Sequence, residues 1–356
     1  MSVQTLATLK AAAELLPVQG CVHVQLESVT QKLTRDGKPF LEVQFTDATA
    51  TVTIRVWSDH PEYANYSMLA AGGFHELTGE FFRNGNFGID IRKYRLGPLN
   101  DEEREALLAG PAEMREKQHA DYAEILRLVN TIVDPRLLTL CLTFLSELGP
   151  RFARSAGAKF VHHARRGGLV EHTAQMMRSV DVVQTIYPYL NRDLLLAGTL
   201  LHDIGKLWEN HVPEIGFGIT LDERGELLGH ITIGTELVNS LWRKMQPQLE
   251  DWKELQPPSE QVRLHLLHLV ASHHGSHEFG SPVVPKTPEA IALNMIDNLD
   301  AKLEIFSQGY KNLPLLAPNI FDKVRPLNHH LINPLPCYNL PPAEEEGFPS
   351  SVALEG

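Results

Sequence analysis

The sequence predicts a multidomain α and β chain, with a small N-terminal β-barrel followed by an all-α helical bundle and then a proline-rich tail. Three observations carry this reading. Apolar residues recur with a period of two between residues 20 and 98, and at helical spacing from 101 to about 310. After 312, prolines recur at 314, 318, 326, 334, 336, 341, 342 and 349. At 356 residues the chain is long enough for two modest domains. The expected boundaries are a segment 1–19, a strand domain 20–98, a helical domain 99–312 and a tail 313–356.

Each element follows from local pattern. Val22, Val24 and Leu26 alternate with polar residues, as do Leu41, Val43 and Phe45, then Val52, Ile54 and Val56, and last Phe87, Ile89 and Ile91. The breaks carry turn chemistry at Arg35-Asp36-Gly37-Lys38, Asp47-Ala48-Thr49 and Arg83-Asn84-Gly85-Asn86. About five short strands in so short a stretch suit a closed barrel. A short apolar helix-like segment, Leu6 to Leu16, precedes them. Asp101-Glu102-Glu103 opens the helical part, and Ile125, Leu128, Val129 and Ile132 continue it, with Pro135 and Pro150 as punctuation. The proline density after 312 predicts an extended tail without helix or central strand, fraying near Glu344-Glu345-Glu346.

Composition narrows the class. The three cysteines, at 21, 141 and 337, are too far apart for a CxxC metal pair or a disulfide framework, so a reducing compartment is expected. No signal peptide and no run of 18 apolar residues is evident, which predicts a cytoplasmic protein without membrane contact. The net charge of −12 excludes a surface coated in basic patches but not a locally basic groove. Oligomeric state stays open, with a homo-oligomer among the alternatives.

The chemistry lies in a scattered set of histidines and aspartates: His172 in GGLVEHT, His202-Asp203 in LLHDIGK, His230 in LLGHITIG, His273-His274 in ASHHGS and Asp297 in NMIDNLDAK. Each sits in or beside an apolar, helix-like run, where charge is costly unless paired. A divalent metal centre would pair them all. On a helix His202 and Asp203 diverge by about 100° yet can reach one metal region, and the short Asp203 carboxylate can bridge two ions. Imidazole with carboxylate suits Mn, Fe, Zn or Ni, and Mg less obviously. A lone histidine on an apolar face is more often a core residue, so the weight rests on the ordered series.

That series resembles the HD phosphohydrolase superfamily, with GGLVEHT, LLAGTLLHDIGK and IDNLDAK matching its metal-site segments in order. The resemblance implies His172, His202, Asp203 and Asp297 as core ligands. It adds His230 and one of His273 and His274 where two ions are bound, and it does not decide between those two histidines. Manganese is the expected metal, with Fe, Co, Ni, Zn or Mg as alternatives. The strand order and GKPFLEVQFTDATATVTIRVW resemble a nucleic-acid-binding OB-fold. With GELLGHITIG, SHHGSHEFGSPVVPKTPEAIALNMIDNLDAK and FVHHARRGGLVEH, the chain from 20 to about 310 is similar to the YhaM-type 3′–5′ exoribonucleases.

The resemblance implies hydrolysis of single-stranded RNA or DNA from the 3′ end, with Asp203 and Lys206 catalytic and Lys206 contacting a substrate phosphate. The alternative for Lys206 is an exposed helix lysine. His162, His163, Arg165 and Arg166 form a cationic patch for the substrate backbone, or else a surface loop. On the barrel, Phe40, Trp57, Phe81, Phe82 and Phe87 with Arg55, Arg83, Arg92 and Lys93 can supply a strand-binding face. The bland alternative is a barrel used for packing or dimerisation. Glu171 is a candidate outer partner for His172. Competing functions are a phosphohydrolase of small nucleotides and a non-catalytic nucleic-acid-binding protein.

Overall fold

Strand β1 (Val18–Leu33) organises the N-terminal sheet because it is long enough to pair twice. Its first half, Val18–Gln25, pairs with β4 (Phe74–Asn84), and its second half, from Gln25 on, pairs with β2 (Pro39–Thr46). The change of partner falls at a register shift between Leu26 and Ser28, the kind of bulge that bends a strand and raises its twist. With β3 (Thr51–Trp57) and β5 (Gly88–Pro98) the order is β3-β2-β1-β4-β5, antiparallel throughout. The computed structural model describes residues 2–85, 88–159, 163–245 and 251–336. Phe87, His162 and the tail from 337 onward lie outside them.

The predicted inward residues of β1, β2 and β3 are all buried, and Leu77, Phe81 and Ile91 complete the same core. Phe81 is therefore a core residue, not the exposed aromatic the sequence suggested. Helix α1 (Leu6–Ala13) closes one side with Leu6, Leu9 and Ala13. Leu9 rests over Gly20, where a Cβ would stand 2.4 Å from Leu9 Cδ2. The barrel expected from the strand count is not closed by hydrogen bonds among the described residues. Edges β3 and β5 approach instead through side chains, with Arg55 Nη1 3.6 Å from Asp90 Oδ2.

Apart from α1 and one short helix, the helices follow from residue 101. The short one is α2 (Tyr63–Ser67), within the strand region, and then come α3 (Asp101–Ala109), α4 (Ala112–Val129), α5 (Pro135–Arg154), α6 (Gly168–Ile186), α7 (Arg192–Leu201), α8 (Lys206–Glu209), α9 (Glu223–Lys244), α10 (Ser259–Ser272) and α11 (Pro288–Asn312). Asn100 and Glu103 form a capping box on α3, and Asp134 caps α5 with Pro135 in its first turn. Pro150 does not punctuate: it lies inside α5, one turn before its end. The helices enclose an apolar core that includes Phe144, Phe152, Met176, Leu195, Leu266 and Leu269. Sheet and helices belong to one compact unit, Met1–Glu304, and Gln25 Oε1 accepts the Phe217 N–H at 3.0 Å. Among the described residues no helix is long and apolar enough to cross a membrane.

The second unit, Ile305–Gly356, corrects the reading of the tail. It contains a three-stranded sheet, β6 (Leu315–Ala317), β7 (Ile320–Val324) and β8 (His329–Ile332), with β7 in the centre. Pro314, Pro318 and Pro326 stand just outside the strands, so no ladder N–H is lost and β7 itself is proline-free.

Asp47 ties the sheet together. Its carboxylate is buried and accepts the N–H groups of Leu6 at 2.7 Å, Thr49 at 2.7 Å and Ala50 at 2.8 Å. Asp47→Ala would strand these donors, and each buried donor left unsatisfied costs about 1–3 kcal/mol. The expected loss in chemical denaturation is about 2–4 kcal/mol, with Asp47→Asn milder because it keeps an acceptor. A change below about 0.5 kcal/mol would show that water satisfies these groups instead.

Candidate metal centre

One close approach of backbone and one break in a helix bring the ligand-bearing segments together. His202 caps the end of α7, and Asp203 follows in the turn before α8, so the pair occupies a turn between helices where a continuous helix was expected. Gly205 in that turn packs against the chain at His230: a Cβ there would stand 1.9 Å from the His230 carbonyl oxygen. His230 in turn follows Gly229, whose φ of 67° breaks α9 and restarts it at the histidine. His172 lies in the second turn of α6, His273 caps α10 with His274 next, and Asp297 lies on α11.

All seven predicted ligands converge. His172, His202 and Asp297 form one group and His230, His273 and His274 another, each with donor atoms within 4.8 Å of one another. Asp203 stands between the groups. Its Oδ2 is 3.2 Å from His202 Nε2 and 3.7 Å from His172 Nε2, while Oδ1 is 3.5 Å from His273 Nε2 and 3.6 Å from His230 Nε2. The two histidines that the sequence could not separate both face inward, since His274 Nε2 lies 3.2 Å from His230 Nε2.

The outer ring nitrogens explain that orientation. His202 Nδ1 and His273 Nδ1 each lie 2.7 Å from the carbonyl oxygen three residues back, Thr199 and Val270. His274 Nδ1 contacts the Phe279 carbonyl at 2.7 Å. His230 Nδ1 meets Glu209 Oε2 at 2.5 Å, and His172 Nδ1 meets Asp300 Oδ2 at 2.6 Å. A ring that donates through Nδ1 leaves the Nε2 lone pair for a metal. Buried atoms without a hydrogen-bond partner among the described residues include His202 Nε2, His273 Nε2 and Asp203 Oδ1, all turned to this point. Such groups are expensive to leave unpaired, and imidazole and carboxylate donors in this arrangement fit divalent cations.

Asp300 and Glu209 were missed from sequence. The outer partner of His172 is Asp300, not Glu171, which instead pairs with Arg165 at 2.5 Å and Lys117 at 3.1 Å. Asp300 is three residues beyond Asp297, the spacing that puts both on one helix face, and that was the available signal.

The cationic candidates divide by location. His163 Nε2 meets Asp300 Oδ2 at 3.0 Å, and Lys206 Nζ meets Asp203 Oδ2 at 2.5 Å, so both adjoin the centre, and Lys206 is buried, not an exposed lysine. Arg165 is held by Glu171 and Glu304, and Arg166 donates to the carbonyls of Pro213, Glu214 and Gly216. Arg55 and Arg83 lie on the sheet, Arg55 near Glu42 and Asp90, Arg83 against Glu14. His162 is outside the described residues.

Charge in the cluster is finely opposed. Burial alone would raise the carboxyl of Asp203, but His202 and Lys206 hold it well below its ordinary value. Burial would lower His172, but hydrogen bonds to Asp297 and Asp300 override it and lift the ring to about 9. Burial pushes His273 and His274 down, which keeps their lone pairs free. A raised His172 stabilises the metal-free protein fully below its ordinary value of 6.5, and that stabilisation is lost as pH rises through about 9. A metal bound through the His172 ring would have to displace that proton. Calorimetry in buffers of differing ionisation enthalpy should find about one proton released per chain near neutral pH, falling towards zero above about 9. Release that does not change with pH would contradict this balance.

Comparisons with known proteins point to one family. The HD domain family matches residues 169–302, a span that includes all seven candidate ligands. A protein of Geobacillus sp. (strain WCH70), "3'-5' exoribonuclease YhaM", is 30% identical over 82% of this chain and 85% of its own length. Proteins of the same name from Bacillus pumilus (strain SAFR-032) and Bacillus licheniformis are each 30% identical over 82% of this chain and 88% of their own. A solved chain titled "Structure of RecG bound to three-way DNA junction" covers 52% of this chain and 31% of that chain at a TM-score of 0.24 and 13% identity, too distant to carry an argument. By identity and coverage along both chains, this chain belongs to the family of the YhaM 3′–5′ exoribonucleases.

Proposed function

We propose that this chain is a metal-dependent 3′–5′ exonuclease that hydrolyses the phosphodiester bonds of single-stranded RNA, with single-stranded DNA as a second substrate. The observation that carries it is Asp203, a buried carboxylate with one oxygen turned to each of two histidine groups. His172, His202 and Asp297 would hold one ion and His230, His273 and His274 a second, with Asp203 shared. Manganese suits this donor set, with Fe, Co, Ni, Zn or Mg as alternatives. Such a pair, when bound, supplies an activated water and offsets charge on the phosphoryl oxygens.

The chain's own residues do the positioning. Lys206, held against Asp203, brings a buried cation within reach of a substrate phosphate. His163, fixed on Asp300, places a ring beside His172. The five-stranded sheet would act as an OB-type barrel that captures the strand. Supporting that role, Phe40 and Trp57 pair across β2 and β3 with ring centroids 5.0 Å apart, and Trp57 is 45% exposed.

Asp203→Asn keeps the shape of the side chain but weakens its hold on both groups. Hydrolysis of end-labelled RNA with added Mn should fall by more than about a hundredfold, with thermal unfolding still cooperative. Activity within tenfold of the parent would sink the assignment. Trp57→Ala with Phe40→Ala should raise KM on long RNA about tenfold or more, because stacking contributes about 1–3 kcal/mol per base. Dinucleotide hydrolysis should stay unchanged, and equal loss on both substrates would remove the sheet from substrate binding.

A further inference from the structure

The first unit also carries a cationic pocket that no step above uses. It has a volume of about 400 Å³, lies where Ala48 of the β2–β3 turn meets α4 and α5, and is lined by Arg115, Arg154, Arg166 and His119. Glu214 is the only acidic residue in that lining, and its side chain is 81% exposed and 3.5 Å from Arg154. Three guanidinium groups thus gather in a chain whose net charge is −12. Burial and the neighbouring Arg154 push Arg166 below its ordinary value, a sign that these cations oppose one another. Arg154 and Arg166 are partly spent on backbone carbonyls of Pro150, Val212, Pro213, Glu214 and Gly216. The Arg115 residue is exposed, and its guanidinium makes no hydrogen bond or ion pair among the described residues, its backbone N–H alone being bonded, to the Pro111 carbonyl.

The pocket also leads somewhere. Ala48 and Arg166 belong equally to a second cleft, of about 330 Å³, whose lining includes Lys159 and Arg165 together with the carboxylates of Glu27 and Asp47. Arg165 lies two residues from His163, which adjoins the metal cluster through Asp300. Gln118, in the first lining, bonds the Arg166 carbonyl and Glu171 beside His172. The Arg166 end of the pocket is thus continuous with a cleft of mixed charge whose Arg165 side borders the centre. We propose that the Arg115–Arg154–Arg166 pocket binds a backbone phosphate of the RNA strand some nucleotides away from the bond being cleaved. This rests on the exonuclease reading and adds a distal site to it. Planar, forked donors suit phosphate oxygens.

The test compares kcat/KM of the Mn-loaded full chain on an oligouridine of about twelve nucleotides and on the dinucleotide UpU, across a range of salt. Arg115→Ala should lower kcat/KM on the oligouridine about fivefold at low salt, through KM, and flatten its log–log salt slope by about 0.7, the value for one single-strand phosphate contact. UpU hydrolysis should not change, and Arg115→Lys should restore most of the slope. An unchanged slope in an active enzyme overturns the pocket but not the exonuclease. Equal loss on both substrates overturns it too, since that is what damage to folding gives. Inhibition by uridine monophosphate is measured alongside: if Arg115→Ala relieves it and leaves the oligouridine slope intact, the pocket holds free nucleotide and the proposal fails. A parent enzyme that leaves RNA intact with every divalent ion overturns both readings.

Discussion

Everything in the helical part is arranged around one carboxylate that ought not to be buried. Asp203 is 2% exposed, ringed by four imidazoles and by Lys206. A buried charge is tolerated only when its surroundings answer it, and here the answer comes from its own turn, with His202 and Lys206, and from three distant segments that carry His172, His230 and His273. That demand fixes the close packing of Gly205 on His230, the break at Gly229 and the ends of α7 and α10 at histidines. The helices' apolar core supplies the rigidity, but the carboxylate decides where the helices must stop.

Much of this was legible in the sequence, for definable reasons. Period-two patterning placed the inward faces of β1, β2 and β3, because only one face of each strand meets the core. The metal residues stood out because polar groups interrupt apolar runs at intervals that separate helices must reconcile. What failed is equally physical. Pro150 was read as a break, yet a proline near the end of a helix disturbs little beyond it. Proline density hid β6–β8, since prolines flanking a strand look much like prolines within one. Phe81 could not be told from Phe82, because two adjacent aromatics leave the phase of the alternation open, and it is the burial of Leu77, Gly79 and Phe81 that settles it. Asp300 was overlooked since a second carboxylate on a helix looks like solvated surface until His172 is seen opposite it.

The sheet and the helices are not independent modules joined by a tether. Gln25 of β1 accepts from Phe217, a Cβ on Gly110 would stand 3.1 Å from the Ala48 side chain, and clefts open along the seam. A strand captured on the sheet would therefore meet the helical part at a set distance and angle. With a fixed path, the length of the chain end that reaches the centre becomes a property of the fold.

The outer partners of the histidines divide into two kinds, and the division bears on how this centre can evolve. His202, His273 and His274 are aimed by main-chain carbonyls, which every amino acid carries and no point mutation deletes. His172 and His230 are aimed by the side chains of Asp300 and Glu209, which a single base change can replace. Heritable variation in the aim of these rings is thus channelled to two positions, one for each histidine group, while the rest of the aim is guaranteed by main-chain carbonyls. A lineage moving between metal-rich and metal-poor surroundings could retune either group separately without disturbing a ligand.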